Sequence, residues 1–282
     1  MYNVVFENDN GSKYYFGING ATVFDMDLGS GVSVDIGTSQ GFSQIGETMQ
    51  NRTVSGRPIT VKGAVYGNVQ ERKKSMRNVI SPFSCGRLVF ENKYYIRVCV
   101  KSAPTFSSVK NDGRFTMQFY APYPFFKSVN EKIIEIGAIK PLFSFPVNYA
   151  TPHKFGENAA ARYKNVYNDS DVSIPFAIHI SSSGASTNPV IANLKTFKST
   201  KINGTIGAGD FIDIYWNDDN VLQARLTSGG VETDIIHLID ESSNLFDLEV
   251  GDNLISATDD TGGSSLSVKI TYNTVVVAVY ES

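Results

Sequence analysis

Residues 119–126 read FYAPYPFF, five aromatics, two prolines and one alanine in eight positions. The run is too apolar for a solvated loop. Yet Pro122 and Pro124 lack the N–H that a helix or a central strand needs. Aromatic surface on backbone that cannot join regular structure marks a junction, where a strand ends and one domain gives way to another.

Upstream of this junction the pattern is β. GRFTMQFY (113–120) is the strand that runs into it, and LVFENKYYIRVCV (88–100) reads as a hairpin turning at Glu91–Lys93. RPITVKGAVY (57–66) puts Ile59, Val61 and Val65 on one face. Nearer the N-terminus Val4 and Phe6, Tyr14 and Phe16, and then Val32, Val34 and Ile36 alternate with small or polar residues. A period of two indicates half-buried strands. One stretch departs from it. In NVQERKKSMRNVI (68–80), Val69, Met76, Val79 and Ile80 form a helical stripe. Asn68 with Glu71 resembles a capping box, and Pro82 follows the end. Arg72, Lys73, Lys74 and Arg77 fall largely off the stripe, as a solvated face or a contact with a neighbouring subunit. The polar segment GFSQIGETMQNRTVSGR (41–57) has two readings, a long hairpin arm reaching a neighbouring subunit or a mobile loop.

Downstream, residues 128–165 carry Pro141, Pro146 and Pro152 and little periodicity, as a connector does. From 172 short strands recur between turn clusters, at 174–180, 189–196, 210–216, 221–226, 233–239, 245–248, 253–257 and 266–279. That spacing argues for a two-sheet sandwich. The expected organisation is therefore a first domain over 1–127, a connector over 128–165 and a second domain over 166–282.

Composition narrows the function. The 282 residues carry a formal charge of −3, which is no electrostatic footprint for nucleic-acid binding. There is no apolar run of about 18 residues to span a membrane. The first residues lack the basic start and apolar core of a signal peptide, so folding in a cytoplasm is expected. Cys85 and Cys99 are the two cysteines. They lack the spacing of a zinc site, and the plain reading is two small buried thiols. His153, His179 and His237 have no serine elbow or cysteine beside them. Asp210, Asp213, Asp218 and Asp219 fit strand entries and turns better than a glycosidase pair. GTIGAGD lacks the lysine of a phosphate loop. No catalytic, cofactor or metal site is expected.

Several pieces in matching order resemble a known family, the distal tail (Dit) proteins of siphophages and prophages. They are GRPITVKGAVYG (56–67), ERKKSMRNVISPFSCGRLVF (71–90), FTMQFYAPYPFF (115–126), VYNDSDVSIPFAIHI (166–180), NPVIANLKT (188–196), GDFIDIYW (209–216) and LFDLEVGDN (245–253). The resemblance implies a mainly β chain. An N-terminal β-sandwich or split-barrel ring domain carries one helix, and a galectin-like β-sandwich follows. It implies a virion protein at the tail tip, made in the bacterial cytoplasm and assembled as a homohexameric ring. That ring joins the major tail tube protein to the tail-associated lysin or hub protein, and in many phages it anchors receptor-binding proteins. Viral DNA passes through its lumen without specific binding. A ring of identical subunits needs two different faces on each, and Phe42, Ile45, Met49, Arg52, Arg57, Arg72 and Met76 are the expected interface residues. The rival readings are a carbohydrate-binding module, for which Trp216 would be the exposed aromatic, and a sandwich-fold glycosidase.

Overall fold

A computed structural model describes residues 3–17, 22–26, 32–109, 112–137, 139–141, 156–158, 162–217, 220–261 and 265–279. The chain forms two compact units, Met1–Asn130 with Val275–Ser282, and Glu131–Thr274. The strand Phe126–Ile136 carries the chain out of the first unit and Leu266–Val276 brings it back. The sequence placed the handover at 127, followed by a connector. The junction residues lead into that eleven-residue strand, the main segment of the first unit ends at Asn130, and the C-terminal residues rejoin it.

In the first unit the strands lie in the order Thr22–Met26, Arg57–Ala64, Arg114–Ala121, Tyr94–Phe106, Cys85–Phe90, Val4–Asn8, Lys13–Phe16. Strands in a flat sheet are about 4.8 Å apart, so Phe6 and Phe119, three strands distant, would be separated by about 14 Å. Their ring centroids are 5.2 Å apart. The sheet therefore curls until its inner face closes on itself. The enclosed core holds Phe6, Phe16, Ile59, Leu88, Phe90, Ile96, Met117, Phe119 and Phe126. Phe90 meets Phe126 edge-on at 5.4 Å, a favoured arrangement for aromatic quadrupoles. Thus Phe119 and Phe126 of the opening run fill the core, while Pro122 and Pro124 occupy the break between two strands.

The hairpin turns at Glu91 and Asn92, which take left-handed backbone at φ 48° and 55°. Its register sets Cys85 directly opposite Cys99, and the two form a disulfide. The expectation of two free buried thiols is corrected: both positions are half-buried, and residues fourteen apart become cross-strand neighbours only once the hairpin folds.

The helix spans Val69–Val79, with Met76 and Ile80 fully buried. Two details differ from the sequence reading. The Asn68 side chain makes no capping hydrogen bond. The basic face is also only partly solvated: Lys73 is buried, and both its ammonium and the Arg77 guanidinium lie over the Phe106 ring, at 5.2 and 5.0 Å. Long cationic side chains can bury their stems in this way.

Besides the short pairs Ile139–Pro141 with Gly156–Asn158 and Ser186–Thr187 with Thr205–Ile206, the second unit holds, among the described residues, two larger antiparallel sheets. One runs Leu266–Val276, Ala177–Ser182, Phe211–Trp216, Leu222–Ser228, Val231–Asp234; the other runs Tyr163–Asn168, Gly251–Thr258, Val190–Asn193, Lys198–Lys201. Burial alternates residue by residue along Ala177–Ser182, Phe211–Trp216 and Gly251–Thr258, so each sheet buries one face. Tyr272 of the first sheet donates to the Tyr167 carbonyl of the second at 2.9 Å. Buried Asn168 and Asn253 donate to the carbonyls of Leu248 and Glu249, and buried Asn193 donates to the Asn253 side-chain oxygen, holding the turns in place. The expected strand over 233–239 is instead the end of Val231–Asp234 followed by a 3-10 turn, Ile236–Leu238. At 245–248 only Leu248 bridges, to Ile174.

Candidate interaction surface

Strands Val34–Ser39 and Thr48–Val54 pair with each other and with no other strand among the described residues. Segment 41–57 thus carries the turn and the second strand of a hairpin, the element that one of its two sequence readings expected. All seven residues of Thr48–Val54 are exposed. The half-burial expected from the alternation of Val34 and Ile36 is absent, because nothing in the described chain covers the arm: these residues are 47% and 54% exposed. The register places Val34 opposite Val54, Ile36 opposite Arg52 and Thr38 opposite Met49, across a bulge between Gly37 and Thr38. Positions two apart share a face, so Val34, Ile36, Val54 and Met49 form one apolar stripe punctuated by Arg52.

The other face is tightly built. The side chain of Asn51 lies over Gly37, where an added Cβ would meet its oxygen at 1.9 Å. Ser55 donates to Asp35 at the base. At the tip, Gln44 acts as a clamp. Its carbonyl accepts from Gln40, its side-chain oxygen accepts from the Gly41 N–H, and its amide donates to Thr48. Phe42 and Ile45, on either side of this clamp, are fully exposed.

The expected interface residues therefore divide. Phe42, Ile45, Met49 and Arg52 stand together on the arm. Arg57 does not: it is buried, its guanidinium lies 5.1 Å over the Phe126 ring and Nη2 donates to the Val277 carbonyl at 2.8 Å. Met76 is a core residue, and Arg72 is half-buried on the helix. Val34, Ile36 and Val54 belong to the arm's apolar stripe and were missed, because alternation reveals a two-faced strand without telling whether its apolar face is covered from within.

The polar residues considered for catalysis scatter. His179 Nδ1 is 2.7 Å from Asp213 Oδ1 on the outer face of the first sheet of the second unit. His237 is exposed in the 3-10 turn, and Asp210 accepts from the Gly207 N–H. His153, Asp218 and Asp219 lie outside the described residues. Trp216 ends its strand opposite Leu222, 41% exposed. Among the described residues no group of three His, Cys, Asp or Glu is placed to hold a metal ion.

No family model matches the chain, and no curated protein matches its sequence. Solved structures do. The Dit protein of phage SPP1, described as a paradigm of the hub adsorption apparatus in phages infecting Gram-positive bacteria, superposes with a TM-score of 0.67 at 12% identity, over 97% of this chain and 99% of that one. A chain of the phage P2 baseplate aligns over 96% of this chain and 97% of its own, at 12% identity and a TM-score of 0.49. The chain has the fold of the SPP1 Dit protein.

Proposed function

We propose that the chain is a structural component of a siphophage or prophage tail tip, a ring-building hub and not an enzyme. The hairpin arm carries this reading. A two-stranded hairpin is marginally stable alone in water, and exposed contiguous apolar surface marks an interaction site. Here the stripe of Val34, Ile36, Met49 and Val54, with Phe42 and Ile45 at the tip, covers no other part of the described chain. A neighbouring copy is the partner that an arm of this kind serves, since a heterologous contact repeated around an axis closes a ring. The likeness to a hub adsorption protein supports the same reading.

In this role the first unit forms a homohexamer. The ring joins the major tail tube protein to the tail-associated lysin or hub protein, and receptor-binding proteins dock on its outside. A chain with a net charge of −3 suits a conduit, since a basic lumen would hold DNA through counterion release. Immunogold electron microscopy of virions, with antibody against this chain, tests the reading. Label at the free end of the tail is expected; label on the capsid or along the shaft contradicts it.

A further inference from the structure

On the outer face of the second unit lies a depression of about 380 Å³ lined by Ala177, His179, Asp213, Tyr215, Lys269 and Thr271, with Glu131 at its edge. We infer that it binds an uncharged sugar ring.

The sheet register builds the site. Lys269, His179, Asp213 and Arg225 lie directly opposite one another on four adjacent strands, in one transverse row. In the next row, Thr271 faces Ala177. The antiparallel register that pairs Ile178 with Ile214 brings Tyr215 to the other side of Ala177. The methyl group of Ala177 thus sits between longer side chains, and the missing bulk is the depression.

Its chemistry selects the ligand. The two carboxylates, Glu131 and Asp213, oppose an anion, while Lys269 opposes a metal or an organic cation. The Lys269 ammonium, the Tyr215 hydroxyl, the Glu131 carboxylate and the second oxygen of Asp213 take no hydrogen-bond partner among the described residues. Donors and acceptors of both kinds therefore stand free around an apolar floor. A pyranose has the complementary form, with hydroxyls around its edge and an apolar C–H face for the Tyr215 ring. His179, held by Asp213 Oδ1 and packed at a tilt 5.1 Å from the Phe211 ring, fixes the orientation of the carboxylate. The volume falls at the small end of ligand sites, enough for one ring.

The test is a ligand-observed saturation-transfer and calorimetric titration of the full chain. The panel holds glucose, galactose, rhamnose and N-acetylglucosamine, with glucuronate and glycerol phosphate as anionic controls. At least one neutral sugar is expected to bind with a Kd of about 1–10 mM, the range for a small ligand with few contacts. Ala177→Leu, which fills the floor, and Asp213→Asn should each weaken it about tenfold or more. Asp213 is at the surface, so its variant decides the matter if Ala177→Leu fails to fold. No neutral sugar bound at about 50 mM, binding untouched by both substitutions, or binding of the anionic controls alone would overturn the inference. Neither residue lies on the arm, so the particle mass of both variants should match that of the native chain, and loss of sugar binding and loss of the ring remain separate results.

Discussion

Arg57 Nη2 donates to the carbonyl of Val277, 220 residues away, at 2.8 Å. The bond ties the strand after the arm to the C-terminal segment, and Val276 and Val279 pack against the same core. The guanidinium is buried over Phe126, so removing it leaves the carbonyl of Val277 without this donor and the ring without its cation. Arg57→Leu should destabilise the first unit by about 2–4 kcal/mol. It should also make the C-terminal segment the earliest site of limited proteolysis. Chemical denaturation and mass mapping of the first cleavage check both. A fragment ending at 127 lacks this segment, so ring assembly is best measured on the full chain.

Tyr14 is buried, and its hydroxyl has no hydrogen-bond partner among the described residues. An unpaired buried hydroxyl costs stability, so Tyr14→Phe should be neutral or stabilising by up to about 1 kcal/mol at neutral pH. Burial pushes the phenol up to about 12 from 10.0, with Arg72 acting weakly the other way. Below pH 10 the group is protonated both folded and unfolded and contributes no pH dependence. Between 10 and 12 the unfolded chain releases a proton that the folded chain retains, so stability falls as pH rises. Denaturation midpoints from pH 9 to 12 should drop more steeply in the native protein than in Tyr14→Phe. Parallel curves would show that the phenol is not desolvated.

The Cys85–Cys99 disulfide closes a short loop within an already paired hairpin. Loop-closure entropy sets its contribution at no more than about 3 kcal/mol. Thiol titration of the denatured protein should find two reactive groups only after reduction. Cys85→Ser with Cys99→Ser should retain the fold with a lower unfolding midpoint. Two reactive thiols before reduction would contradict the bond.

What the sequence disclosed follows from how local each signal is. The Glu91–Lys93 turn, the helix stripe ending at Ile80 and the strand before Pro122 rest on neighbours a few residues apart, and all were legible. The disulfide was not, since Cys85 and Cys99 carry no sign of partnership until a register exists. Arg57 read as an interface residue because its partners, Phe126 and Val277, lie far along the chain. Ile36 showed alternation, yet alternation is the same for a strand covered by its own core and for one left for a partner. The depression around Ala177 escaped because it is drawn from four strand segments whose side chains meet only across the sheet.

Ring assembly depends most on the arm binding a second copy. Sedimentation velocity of the full chain, compared with Phe42→Ser/Ile45→Ser, tests this directly, because both side chains are fully exposed and their loss leaves the core untouched. The intact chain is expected to populate a closed species of six times its 30.9 kDa mass, and the double variant to remain a folded monomer. A native chain that stays monomeric at the highest attainable concentration, or a ring that forms equally well with both serines in place, would contradict the central claim.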